Sequence, residues 1–243
     1  MTRSVLICTP TYSGQVAVEY VGSVLGAAAD LTAHGIVPHF DFHPGLCYVA
    51  LARCMQAKRF LEGPCDDLLF WDDDVGAPAA AVRSLLVHDV EVVAGVYPRK
   101  VGHDGQSENF PWLSAGRRNG PLIEAEGLPT GFMRIRRDVI ERMVAAYPER
   151  LLIDPITKEQ CHNLFPCEVV DNVWWGEDYR FCQLARAIGI KLWVDPDIDF
   201  RHVGRNTWHG NLRKQINKER GLPAGLESLT VAPIEGELEY GRR

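Results

Sequence analysis

Three consecutive carboxylates, Asp72, Asp73 and Asp74, end an apolar run in LLFWDDDVGAP (68–78), and the chain then turns at Gly76 and Pro78. Like charges set side by side repel one another and resist leaving water, so a cation is expected among them. Hard oxygen donors suit Mg2+ or Mn2+, which commonly keep water and substrate phosphates as their remaining ligands. A turn begun at Asp73 lets Asp72 and Asp74 converge on one ion. A following helix would also favour a carboxylate at its N-terminus, but one would serve there, not three.

A second acidic pair, Glu177 and Asp178, heads an amphipathic pattern in WWGEDYRFCQLARAIGI (174–190). Each can be a complement to a helix macrodipole. Beside them, Trp174 and Trp175 offer flat apolar faces, suited to a sugar ring as well as to a core, and a carboxylate next to such a platform is a natural base for a hydroxyl. His202, 24 residues after Asp178, sits in a short strand pattern. A lone strand histidine is often a satisfied structural residue; as a neutral imidazole it can also complete a metal's coordination. HFDFH (39–43) is a competing cluster that sets His39, Asp41 and His43 on one strand face, and CHNLFPC (161–167) can be drawn as a metal loop, although its spacing is unlike that of zinc sites. Both rank below the triple aspartate.

The elements that must position these groups alternate. SVLICTPTY is a strand ending in a turn; residues 16–33 carry Val18, Val21, Leu25, Ala28 and Leu31 at helical spacing. Strand 35–42, helix 46–62, strand 66–71, helix 77–88 and strand 90–97 follow. Strands apolar throughout, alternating with helices, predict a largely parallel sheet covered on both faces, with the aspartates beyond a strand's carboxyl end where ligands bind in such folds. Residues 98–120 read as a long loop, 121–137 as two strands around Gly-Leu-Pro, 138–146 as a short helix, and KLWVDP and IDFRHV as two last strands after a helix marked by Phe181, Leu184, Ala185 and Ile188. The final 30 residues read as a tail or covering arm.

At 243 residues and 46% hydrophobic content, one α/β domain with a sizeable core is expected. A net charge of −6 argues against a protein that coats nucleic acid or an anionic membrane through its overall field, while leaving room for a local basic patch. The N-terminal apolar stretch is too short for a secretory signal and no run is long enough to span a membrane, so a soluble, cytoplasmic protein is expected. Seven cysteines without a C-x-x-C pair suggest reduced core residues.

In this setting LLFWDDDV resembles the Asp-X-Asp motif of GT-A fold glycosyltransferases, in which an apolar strand delivers the pair to the metal and diphosphate of a nucleotide sugar. Other segments match in order over residues 4–205. ICTPTYSG is similar to the first strand and turn that grip the nucleotide base, and YVALARCMQAKRFL to the segment whose Arg lies near the nucleotide. VVAGVYPRK and PTGFMRIRRDVI resemble the fourth and acceptor-side strands of phage and bacterial members. WWGEDYRFC looks like the Trp-Gly-Glu-Asp motif of inverting members, and DFRHVG like the strand supplying a metal-binding His. Cys54 departs from the Asn that follows this Arg in many relatives.

The resemblance implies a single GT-A (Rossmann-like) α/β domain with a mixed, mainly parallel sheet over 1–205, and a basic lid or tail over 206–243. It implies a family-2-like, nucleotide-sugar-dependent hexosyl- or pentosyltransferase, inverting, with Mn2+ or Mg2+ held by Asp72, Asp74 and His202. Asp178 would be the base and Glu177 would orient the acceptor. Thr9, Pro10, Thr11, Arg53, Asp72, Asp73 and Lys100 would contact the donor, with UDP-sugars favoured, and Arg99 could reach its phosphates or be a solvated loop charge. Trp174, Trp175 and Gly131 would meet the acceptor, Gly131 through close backbone approach or simply as a bulge. The acceptor stays open between a cell-surface polysaccharide and a hydroxymethylated DNA base of a phage, in which case the protein works in the host cytoplasm.

Residues 201–220 carry Arg201, Arg205, Arg213, Lys214, Lys218 and Arg220 against Glu219 alone. The run can be a lid over the diphosphate, a phosphate track for a nucleic-acid acceptor, or an exposed helix. A haloacid dehalogenase-type phosphohydrolase also ends a strand in Asp-X-Asp, but there the motif opens the domain, whereas here two β-α units precede it. A non-enzymatic sugar-binding module is the remaining rival.

Overall fold

The computed structural model describes residues 2–101, 109–155 and 157–221. In chain order the elements are β1 (Ser4–Thr11), α1 (Val18–Ala33), β2 (Val37–Pro44), α2 (Val49–Glu62), β3 (Asp67–Trp71), β4 (Val75–Gly76), α3 (Ala81–Val87) and β5 (Val92–Gly95). Then come β6 (Leu113–Asn119), β7 (Leu122–Gly127), β8 (Phe132–Arg136), α4 (Arg137–Ala146), β9 (Leu151–Ile153), β10 (Gln160–His162), β11 (Glu168–Val170) and β12 (Val173–Trp175). The last are α5 (Glu177–Ala187), β13 (Leu192–Asp195), β14 (Asp199–Val203), β15 (Thr207–Asn211) and α6 (Leu212–Glu219).

Eight strands form one sheet in the order β2-β1-β3-β8-β5-β13-β7-β6. β2, β1, β3, β5, β13 and β6 point one way; β8 and β7 run against them. The sheet is therefore mixed and mainly parallel. Alternation along β1 assigns its faces. Val5 and Ile7 join α1 and α3 in one core, where Tyr20, Val24, Ala27 and Leu31 recur at helical spacing. Cys8 joins the other core with Phe60, Val139, Phe181 and Leu184 from α2, α4 and α5. β3 is buried along its whole length, as its unbroken apolar run demands of a central strand. α1 and α5 are each followed by a glycine in the left-handed region, Gly35 (φ 72°) and Gly189 (φ 84°), the conformation that closes a helix end.

Three expectations change. Within 98–120, read as a loop, Leu113–Asn119 is the edge strand β6. Ser114, Arg117 and Asn119 face solvent and its pairing is supplied by β7 with a register shift near Ser114, so no apolar period announces it. Residues 102–108 lie outside the described residues. The irregular stretch before α5 folds into two short antiparallel ribbons, β9–β10 and β11–β12. The two strands around Gly-Leu-Pro exist but do not pair with each other: β8 inserts between β3 and β5, and β7 lies beside β13. Of the expected C-terminal arm, β15 and α6 are described, α6 burying Leu212 and Ile216; residues 222–243 lie outside. No helix among the described residues is long and apolar enough to cross a membrane. The cysteines are free thiols.

A second, three-stranded sheet, β15-β14-β4, sits at the carboxyl ends of β1, β3 and β5. β4 follows the aspartates directly and pairs with β14, setting His202 opposite Val75.

Candidate functional site

β3 carries its chain out of the sheet at Asp72, whose N–H donates to Gly131 O (2.9 Å) and whose carbonyl accepts from Val75 N–H (3.2 Å). This is a tight turn with Asp73 and Asp74 at its centre. The three side chains leave it toward separate partners. Asp72 accepts from Arg53 Nη2 (2.9 Å) and from Tyr97 Oη (3.4 Å). Asp74 pairs with Lys100 and lies 3.5 Å from His202 Nε2. Burial, with Asp74 and Asp72 beside it, raises the Asp73 pKa against the lowering influence of the nearby Thr11 hydroxyl. Burial alone would raise Asp74 too, but His202 and Lys100 outweigh it and hold that carboxyl below its ordinary range.

Arg53, on α2, is 3% exposed and lies over the Phe70 ring. Besides Asp72 it approaches Glu177, Nε to Oε1 3.7 Å. Burial would lower its pKa, but Asp72 and Glu177 prevail and raise it. One guanidinium thus ties the tip of β3 to the head of α5. Next to Glu177, Asp178 accepts from the Tyr179 N–H (2.7 Å). Burial first, and the Glu177 charge second, push its pKa up to about 6. A carboxylate so poised can exchange a proton near neutral pH.

Tyr97, just past β5, was not singled out from the sequence. Burial raises its phenol well above the ordinary value, its hydroxyl donates to Asp72, and its ring packs edge-on against His202 at 4.8 Å. The only signal in VVAGVYPRK is a polar-tipped aromatic ending an apolar strand. His202 Nδ1 is 2.8 Å from Pro98 O, an atom that only accepts, so Nδ1 carries a proton. Nε2 is then the nitrogen that can offer a lone pair beside Asp74. With Nε2 unprotonated, Asp74 and His202 would offer a divalent metal an O,N donor pair, in place of the Lys100 ammonium and the Nε2 proton that balance Asp74 here. Among the described residues no three His, Cys, Asp or Glu side chains converge as a complete metal cage, because Asp72 turns to Arg53.

Other sequence candidates are placed as follows. Thr9 is buried, its hydroxyl on Tyr20 Oη (2.5 Å); Thr11 is buried, donating to Gln15 O (2.7 Å); Pro10 between them is partly exposed. A Cβ on Gly131 would collide with the Asp72 carboxylate and the Tyr97 hydroxyl, so its bare Cα makes room for those groups. Trp174 is 67% exposed on the β11–β12 ribbon, and Trp175 packs edge-on to Tyr179. Arg99 is exposed. In HFDFH, Arg59 bonds both Asp41 (3.1 Å) and His43 Nδ1 (2.8 Å), putting a resident cation where a metal would have to sit. Of CHNLFPC, Cys161 is buried and Cys167 exposed beside Glu177.

No protein-family model matches the sequence, and no curated protein does. Solved structures do resemble the fold. A197 from STIV matches with a TM-score of 0.51 at 17% identity, covering 85% of this chain and 94% of that one. The inositol-1-phosphate CTP transferase from T. maritima matches with a TM-score of 0.47 at 10% identity, covering 84% and 90%. A glycosyltransferase involved in glycosylation of the major capsid of PBCV-1 matches with a TM-score of 0.34 at 10% identity, covering 59% and 65%. The likeness to A197 is one of fold alone, an α/β fold built here on a mixed, mainly parallel eight-stranded sheet.

Proposed function

We propose that the chain is a metal-dependent glycosyltransferase that moves a hexosyl or pentosyl group from a nucleotide-diphosphate sugar, a UDP-sugar by preference, to an acceptor hydroxyl with inversion. The observation that carries this reading is Arg53: a buried guanidinium bridging Asp72 at the end of β3 and Glu177 at the head of α5 makes two acidic motifs, far apart in sequence, parts of one site.

In this reading Asp74 and His202 would hold Mn2+ or Mg2+, and Asp72 would join them only by leaving Arg53. When bound, the ion supplies Lewis-acid stabilisation of the departing diphosphate. Arg53, Asp73 and Lys100 add charge control around the donor, and Thr9, Pro10 and Thr11 place the end of β1 beside its base. Trp174 and Trp175 stack on the acceptor sugar or base, and Gly131 keeps the floor of the site open. Glu177 orients the acceptor while Asp178 takes the proton from its hydroxyl. Raising the Asp178 pKa by burial makes it a stronger base than an exposed carboxylate while leaving it ionised at neutral pH.

Two measurements test the proposal. A thermal-shift screen of nucleoside diphosphates and their sugars, with and without Mn2+, should find a stabilising pair, since ligands that bind only the native state stabilise it by mass action. Asp178→Asn should lower turnover by about 10²-fold or more with donor binding intact. Turnover kept within a fewfold would exclude Asp178 as the base.

A further inference from the structure

β14 and β15 form a ribbon with unlike faces. Phe200, His202 and Trp208 turn inward to the core and the Asp74 side. Alternation sets Asp199 and Arg201 of β14, with their cross-strand partners Asn211 and His209 of β15, on the outer face. There they line, together with Lys214 and Lys218 of α6, an open cavity of about 690 Å³.

α6 is capped by Asn211, whose side chain accepts from the Lys214 N–H (3.0 Å), and it buries only Leu212 and Ile216. The rest of its surface is strongly cationic. Lys214 and Lys218, four apart, share the flank on the cavity. Arg213 and Arg220 share the opposite flank, where Arg213 donates to Pro121 O (3.1 Å) at the β6–β7 turn. Burial, and then the nearness of Arg220 and Arg213, lower the pKa of Arg118 on β6. Acids offset part of this charge: Asp197 holds Arg213 at 2.8 Å and Asp199 meets Lys214 at 3.6 Å. An excess remains, with Arg201, Arg213, Lys214, Lys218 and Arg220 set against Asp197, Asp199 and Glu219 in a chain of net charge −6. Folding then adds Arg118 from a distant strand, while its neighbour Arg117 pairs with Glu124 (3.6 Å). Crowding cations from separate segments onto one face works against folding and favours a polyanionic partner.

We infer that this face, made of α6, the outer side of β14–β15 and the end of β6, binds the phosphodiester backbone of a nucleic acid that serves as the acceptor. Binding stands on the charges; the acceptor role rests on the transferase reading. The cations spread over both flanks of α6, a longer track than one nucleotide's phosphates occupy. β14 links track and site, since Arg201 faces the cavity while the next residue, His202, faces Asp74. Track and candidate site thus share one strand, which sets a nucleic acid bound outside beside the elements that carry the carboxylates.

The test is fluorescence anisotropy with labelled single-stranded and duplex DNA of about 20 residues, titrated between about 50 and 200 mM salt. Affinity should fall steeply with salt, because each neutralised phosphate releases counterions. Lys214→Ala/Lys218→Ala/Arg220→Ala should weaken binding about tenfold or more and flatten the logarithmic salt slope by about 2–3. Arg201→Gln, a milder change at a separate position, should weaken binding in the same direction, and melting temperatures verify that both variants fold. No binding at about 50 mM salt, or a slope unmoved by the triple change, overturns the inference. UDP affinity in Mn2+, read by calorimetry on the same proteins, separates the two claims. A protein that binds UDP but no DNA sinks this inference alone; one that binds DNA but no nucleotide or nucleotide sugar sinks the transferase reading and leaves the surface standing.

Discussion

Asp178 titrates in opposite senses for chemistry and for stability. As a base it works ionised, so kcat/KM should rise with pH through about 6 and level off above it. A flat profile across that range would remove the assignment. For folding, the native carboxyl keeps its proton up to about 6 whereas its ordinary value is 3.8, so the folded state binds more protons between the two and stability falls as pH rises through that window. Asp178→Asn should therefore melt higher than the parent at pH 8, with the difference gone near pH 4. Lys100 makes a second residue-scale prediction. Its ammonium neutralises Asp74 in the place a metal would approach, so Lys100→Met should bind Mn2+ about tenfold more tightly by electron paramagnetic resonance titration. Weaker binding would mean that Lys100 assists the ion instead of competing with it. Gly131→Ala drives a methyl into Asp72 and Tyr97, and overpacking of this kind should lower stability by about 1–3 kcal/mol in urea unfolding.

Between elements, Arg53 is the joint that fastens α2, β3 and α5. Removing one partner of a buried ion pair leaves a charge uncompensated, typically at about 3–5 kcal/mol; because Asp72 keeps 25% of its side chain exposed, Arg53→Met should fall below that range, near about 2 kcal/mol by denaturant unfolding. Arg53→Met unfolding at the parent's midpoint would show that the joint carries no stability. None of this joint was visible in one dimension. The spacing of apolar residues is enough to place β1, α1, α2, β3, α3 and β5, because each buries a continuous stripe or run that local sequence records. β6 and the ribbons β9–β12 escape the same reading: they are short or solvent-facing, and their pairing comes from strands elsewhere in the chain. At the site, residue type singles out Asp72, Asp74, Glu177 and Asp178, and the order of motifs in the resemblance adds His202. Tyr97 is not among them, since an aromatic at a strand end acquires its role only when β5 is set beside β3 and β14. Nor does type reveal that the neighbouring aspartates part company, Asp72 to Arg53 and Asp74 to Lys100.

At the scale of the molecule, one sheet edge gathers side chains from positions 9 to 202, carried by the ends of β1, β3 and β5 and by α2, α5 and β14. Arg53, Tyr97, the Lys100–Asp74 pair and the His202–Pro98 contact join these segments there, and the turn 72–75 holds two carboxylates against separate cations. A donor with its ion would contact most of the segments at once, replacing several weak local ties by one shared ligand. The two components should therefore bind cooperatively. UDP and Mn2+ together should raise the melting temperature by more than the sum of their separate shifts, and a ligand at a hundred times its dissociation constant contributes about 2.7 kcal/mol. Amide exchange should slow at 72–76, 97–100, 176–180 and 200–204 in the ternary complex, while the distant end of the sheet at β6 and β7 stays as it was. Additive shifts, or protection spread evenly over both ends of the sheet, would mean that the carboxyl edge does not close around a common ligand, and the grouping of these residues into one site would have to be given up.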